Sequence, residues 1–182
     1  MNAIVPLADG FEELEAVTII DILRRVNISV TTLFLQNNPV IGSHNIAITA
    51  DANIDDISSE KYSLIVLPGG QPGSTNLKND ARIISLIKEI CSTSGYAAAL
   101  CAAPIVLAAS GVLEGKKATC YPGYEAELKG ATVISDTVVH DGNVITSKGP
   151  GTAIPFVLKI IEIIISKETA LEAQKRLQVY WM

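Results

Sequence analysis

The run "YAAALCAAPIVLAASG", Tyr96 to Gly111, lines up a short apolar stretch, one cysteine and a second, alanine-rich apolar stretch. Tyr96–Leu100 predicts a buried strand, and the residues after Cys101 predict a helix. Cys101 therefore stands at a strand-to-helix junction. By residue type alone, cysteine is most often a small buried hydrophobe. At such a junction, however, backbone N–H groups and the positive end of a helix dipole face the side chain. That environment lowers a thiol pKa from about 8.5 into roughly the 3.5–7.5 range. The position raises the question of a reactive thiol against an inert one.

Outward from this run the chain alternates strands and helices. "AIVPLA" (3–8) reads as a strand, and "FEELEAVTIIDILRRV" (11–26) carries Phe11, Leu14, Val17, Ile20 and Leu23 at helical spacing. "ISVTTLFL" (28–35) is a β-branched strand, and "NNPVIGSHNIAITAD" (37–51) reads as a hairpin or edge excursion. "SLIVLP" (63–68) is apolar almost throughout, as in strands buried on both faces of a parallel sheet. A helix follows around "DARIISLIKEICSTS" (80–94). "KATCY" and "ATVIS" predict short strands separated by a short helix in "GYEAELKG". Asp141-Gly142 within "TVVHDGNVIT" predicts a tight hairpin turn. Two helices close the chain, one over 151–166 and one in "KETALEAQKRLQ". The pattern predicts one α/β domain over residues 1–182, with a mostly parallel sheet and helices on both faces. Ligands in such folds sit beyond the carboxyl ends of the strands. Asp9-Gly10, Gly69-Gly70 and Cys101 all fall there.

Composition narrows the function classes. A net charge of −5 gives no support to nucleic acid or an anionic membrane as partner. The N-terminus "MNAIVPLADG" lacks the basic and apolar regions of a signal peptide, and the longest apolar stretch, in "IPFVLKIIEIIIS", is broken by Lys159 and Glu162. A cytoplasmic protein is expected. Cys91, Cys101 and Cys120 are odd in number and lack CxxC spacing, so neither a disulfide framework nor a zinc site is indicated. No metal or other cofactor is expected.

The chemistry-bearing residues are few. Glycines after a buried strand let the backbone turn and approach a ligand, and the N–H groups of Gly69-Gly70 with that of Ala102 form a candidate oxyanion hole. Glu12, Glu13 and Glu15 open the first helix, where acidic residues ordinarily complement the dipole. A glutamate kept protonated by a dry site can instead donate a hydrogen bond to a thiolate, and the two titrations are then coupled. Spacing does not select which glutamate. The only histidines are His44 and His140, the latter in the expected exposed hairpin, which leaves little material for a Cys-His protease pair.

Four motifs in order, "LADGFEELEAV", "IVLPGGQPGSTNL", "ALCAAPIVLAASGVLEGKKAT" and "SKGPGTA", resemble the ThiJ/PfpI superfamily over essentially the whole chain. The similarity lies in the branch of the Parkinsonism-associated protein deglycase and its small bacterial relatives. The resemblance implies a flavodoxin-like fold, a homodimer and a reactive cysteine at a nucleophile elbow, here Cys101. It selects Glu15, the last acid of "EELE", as the helix-borne partner, and the backbone of Gly70 and Ala102 as oxyanion donors. Several members carry histidine after the strand equivalent to "KATC"; this chain has Tyr121, a phenol and a poor base at neutral pH. Peptidase-type relatives place histidine directly after the cysteine, where this chain has Ala102. The implied functions are cofactor-independent removal of a small aldehyde or glycated adduct, and redox sensing through the same cysteine.

Overall fold

The structure, a computed structural model, describes residues 1–180. In chain order its elements are β1 (Asn2–Leu7), α1 (Glu13–Arg25), β2 (Ser29–Phe34), β3 (Val40–Ile41), β4 (Ala47–Ile48), β5 (Ala52–Asn53) and β6 (Leu64–Leu67). They continue with α2 (Gly73–Asn79), α3 (Ala81–Ser92), β7 (Tyr96–Leu100), α4 (Pro104–Ser110), β8 (Lys117–Ala118) and β9 (Thr132–Val133). The last are β10 (Val138–Asp141), β11 (Val144–Ser147), α5 (Ala153–Ile164) and α6 (Lys167–Arg176).

Seven strands form one sheet in the order β10-β11-β7-β6-β1-β2-β5. Only the β10–β11 pair is antiparallel. Alternation along the central strands divides the core into two layers. Ala3, Val5, Leu7, Leu64, Val66, Ala98 and Leu100 face α1, α5 and α6, whereas Ile4, Ile65, Leu67, Ala97 and Ala99 face the layer of α2, α3 and α4. Burial on both faces explains why β6 and β7 read as unbroken apolar runs. The flavodoxin-like α/β arrangement brings the carboxyl ends of β1, β6 and β7 side by side.

Several elements differ from the sequence pattern. Phe11 precedes α1, and the helix buries Ala16, Ile19, Ile22 and Leu23 while leaving Leu14 and Val17 more than half exposed. Of the residues read at helical spacing from Phe11, Phe11 and Leu23 lie in the core, while Leu14 and Val17 form a second, outer apolar face. The segment 73–79 forms α2 without apolar periodicity to announce it; Gly73 fits because a Cβ there would lie 2.6 Å from the Phe11 nitrogen. "GYEAELKG" supplies only a 3-10 turn, Glu125–Glu127. The strands around it pair in parallel as a separate ribbon, β8–β9. The hairpin β10–β11 forms with Gly142 at φ +60°, a left-handed conformation that favours glycine. The excursion at 37–51 forms the hairpin β3–β4, which folds back over the start of α1.

Candidate active site

Cys101 follows β7 with φ +64°, a left-handed backbone unusual for a residue with a side chain. Strain of this kind costs roughly 1–3 kcal/mol and persists only where neighbours fix it. Three bonds do so. The Cys101 N–H donates to Ser147 O at 3.0 Å, the Tyr121 N–H donates to Cys101 O at 2.8 Å, and the Ala103 N–H donates to Leu100 O at 3.1 Å. The "SKGPGTA" motif thus holds the elbow from β11, through the Ser147 carbonyl. The Ser147 hydroxyl is itself bonded to the Thr137 carbonyl and the Thr152 hydroxyl.

Glu15 reaches this elbow from α1 and is fully buried. Its Oε2 accepts from the Gly69 N–H at 2.7 Å. Its other oxygen, Oε1, is buried with no hydrogen-bond partner among the described residues, and the Cys101 thiol lies beside the carboxyl. The close approach demands glycine at 69, where a Cβ would lie 2.5 Å from Cys101 Cβ and 2.8 Å from Glu15 Oε2. Gly70, at φ +91°, turns its N–H toward the Cys101 sulfur, as does Ala102. The four residues selected from sequence, Cys101, Glu15, Gly70 and Ala102, are therefore brought together.

Electrostatics in this pocket are coupled. Burial raises Glu15 to about 7, opposed by the Gly69 and Cys101 hydrogen bonds and assisted by the charge of Glu12. The thiol departs from the sequence expectation: burial, then the charge of a Glu15 carboxylate and its hydrogen bond, raise Cys101 to about 12. The Gly70 and Ala102 N–H groups lower it, by less. The reason lies in the local geometry. The seven-residue α4 begins only at Pro104, and Cys101 itself is buried, so desolvation outweighs the helix terminus. Two of the three raising causes require Glu15 to be ionised. Once Glu15 holds its proton its charge is gone and both of those causes fall away, so the two titrations are coupled.

The neighbouring acids have other roles. Glu12 caps α1, its Oε2 accepting from the Glu15 N–H at 2.7 Å. Glu13 is buried on the outer side, accepting from the His44 N–H at 2.6 Å, His44 Nδ1 at 2.8 Å, the Ile46 N–H at 3.3 Å and the Ser43 hydroxyl at 3.3 Å. Burial alone would raise Glu13; these bonds, led by the His44 ring, bring it down to about 2. Glu12, Glu13 and His44 each place a potential ligand atom within 4.8 Å of the others. Both Glu13 oxygens are already taken by donors, and the arrangement is an ion pair. The His44–Glu13 contact joins residues 31 apart, which no local spacing signals.

A match to the DJ-1/PfpI family model extends over residues 1–163. The chain belongs to the DJ-1/PfpI family. It is 41% identical over 181 residues to the protein dj-1beta of Drosophila melanogaster, covering 98% of this chain and 97% of that protein. It is 38% identical over 174 residues to the DJ-1 homolog B of Arabidopsis thaliana, covering 94% of this chain but spanning only 40% of that longer protein. The crystal structure of Drosophila DJ-1beta superposes with a TM-score of 0.94, covering 99% of this chain and 98% of that one. A structure described as Toxoplasma gondii DJ-1, oxidized, also superposes with a TM-score of 0.94, at 33% identity and 99% coverage of both chains.

In this DJ-1/PfpI chain the other two cysteines have simpler surroundings. Cys91 on α3 and Cys120 are both free thiols raised to about 11, chiefly by burial. Neither has a carboxyl and two backbone N–H groups around its sulfur. Tyr121 joins the elbow through its backbone, while its half-exposed ring lies against Gly149, where a Cβ would come within 3.1 Å of Tyr121 Cδ2. His140 is exposed on β10 and bonds the Gly142 carbonyl at 2.8 Å. Among the described residues, no helix is long and apolar enough to cross a membrane.

Proposed function

We propose that this chain removes reactive carbonyl compounds, an α-oxoaldehyde such as methylglyoxal or a glycated adduct, through Cys101 and without an added cofactor. The observation that carries the reading is the buried Glu15 carboxyl. One of its oxygens is held by the Gly69 N–H, the other is buried with no hydrogen-bond partner among the described residues, and the Cys101 thiol lies beside the carboxyl. In the reactive form Glu15 keeps its proton and the sulfur is a thiolate. The sulfur attacks the aldehyde carbon, the C=O pair moves to oxygen, and the oxygen takes a proton to give a hemithioacetal. The Gly70 and Ala102 N–H groups are donors for the charge that develops. Moving the hydrogen from the aldehyde carbon to the adjacent carbonyl carbon yields a thioester. Water then releases the hydroxy acid, lactate from methylglyoxal, and restores the thiol. Glu15 is the proton carrier.

A second reading is supported by Tyr121, which replaces the histidine of several relatives and leaves these proton transfers with a poor base. In it a peroxide oxidises the Cys101 thiolate to sulfenic and then sulfinic acid, with the same N–H groups and Glu15 proton bonding the new oxygens. The two readings part on one experiment. Methylglyoxal turnover to lactate by purified wild type, lost in Cys101→Ala, supports the enzyme. No turnover, with peroxide converting Cys101 to a stable sulfinate, supports the sensor. For assembly, Leu14, Val17 and Ile46 are 55%, 51% and 56% exposed. They are the proposed contact of a homodimer formed through α1 and the β3–β4 hairpin.

A further inference from the structure

Glu12 closes a ring of hydrogen bonds with Gly69 and Glu15. Its N–H donates to Gly69 O at 2.9 Å and its Oε2 accepts from the Glu15 N–H at 2.7 Å, while the Gly69 N–H donates to Glu15 Oε2 at 2.7 Å. The end of β6 and the first turn of α1 are thereby fixed to each other through these three residues. The second Glu12 oxygen, Oε1, lies 3.9 Å from His44 Nδ1, and the Glu12 side chain is only 14% exposed. We propose that Glu12 is a positioning residue: it fixes the Glu15 carboxyl on Cys101 and, with His44 as its counter-charge, governs proton release from Glu15. The inference rests on Glu15 and Cys101 being the reacting pair.

Charged and titratable groups reach this network from three elements. Cys101 faces Glu15 from the turn after β7, and Glu12 faces it from α1 itself. His44 faces Glu12 from the β3–β4 hairpin, held there by Glu13. From the end of β6 Glu15 meets only the uncharged N–H of Gly69. The negative charge of Glu12 favours the protonated form of Glu15. An imidazolium at His44, whose proton Glu13 stabilises, offsets part of that charge. As pH rises and His44 loses its proton, Glu12 acts on Glu15 without its counter-charge, and Glu15 holds its proton more firmly. Proton retention on Glu15 is what the thiolate needs. The hairpin histidine thus biases the pair toward its reactive form at higher pH.

Carboxyl NMR titration of Glu15 in the full chain tests this directly. Glu12→Gln keeps an oxygen to accept from the Glu15 N–H but removes the charge, and should lower the Glu15 midpoint by at least about 0.5 pH unit. His44→Gln removes the counter-charge and should raise the midpoint. The pH profile of Cys101 alkylation by iodoacetamide should move with these midpoints. A purely structural Glu12 would leave them in place, so a Glu15 midpoint in Glu12→Gln within about 0.2 unit of wild type overturns the proposal. The midpoints need no turnover, so absence of methylglyoxal activity overturns the functional reading alone.

Discussion

Glu13 and Glu15 sit two residues apart on one helical turn, are both almost fully buried, and have opposite proton affinities. Glu13 faces the β3–β4 hairpin, where four donors meet its two oxygens, and it is held near 2. Glu15 faces the strand ends, where one N–H and a thiol meet it, and it is raised to about 7. Burial is common to both, so the number of donors decides the direction. A carboxylate surrounded by N–H groups stays ionised and fastens a loop. One left short of donors keeps its proton and has it available for chemistry. The same short acidic run thus supplies a structural ion pair on one side and a candidate acid on the other.

The largest effect should come from Glu15. Its pKa is raised on folding, so its contribution to stability is full below 4.5 and is lost as pH rises through about 7. The gap corresponds to about 3 kcal/mol at higher pH. Glu15→Gln removes a charge that must be buried, and should stabilise the protein by up to about 3 kcal/mol at pH 8 while gaining little at pH 4. Guanidinium unfolding at the two pH values checks this. An equal change at both would break the contrast with Glu13.

Glu13 should behave in the opposite sense. Its pKa is lowered on folding, so its contribution is present above 4.5 and is lost as pH falls toward 2. Glu13→Ala removes the charged acceptor shared by the Ser43, His44 and Ile46 donors of the hairpin and should cost about 2 kcal/mol at neutral pH. The deficit relative to wild type should shrink as the titration is carried to pH 2. A deficit constant with pH would mean that Glu13 contributes packing and no charge.

The sequence pattern reached the strand ends more readily than the carboxyl chemistry. The elbow at Cys101, the apolar β6 and the hairpin at Gly142 were legible because each rests on local periodicity or a turn residue. The inner face of α1 was not, since Leu14 and Val17 offer a competing apolar stripe that stays exposed. Glu15 could be separated from Glu12 and Glu13 only through the family resemblance, because the choice depends on Gly69 and His44, which lie far away in the chain. The raised thiol was missed for a related reason. Position at a strand-to-helix junction is local, whereas desolvation by α1 and β6 is a property of the packed fold.

A smaller effect is expected at Tyr121, whose ring packs on Gly149 while only its backbone touches the elbow. Tyr121→Phe should change Cys101 alkylation by less than about twofold. A large loss would make the hydroxyl itself part of the chemistry.

The dependence of the thiolate on the Glu15 proton is tested most directly by the pH profile of Cys101 alkylation in wild type, Glu15→Gln and Glu15→Leu. Peptide mapping should place the first iodoacetamide adduct on Cys101 rather than Cys91 or Cys120. Glu15→Gln, which retains a hydrogen-bond donor without a charge, should keep Cys101 reactive at neutral pH, and Glu15→Leu should move the profile to higher pH. Coincident profiles for Glu15→Gln and Glu15→Leu would contradict the dependence.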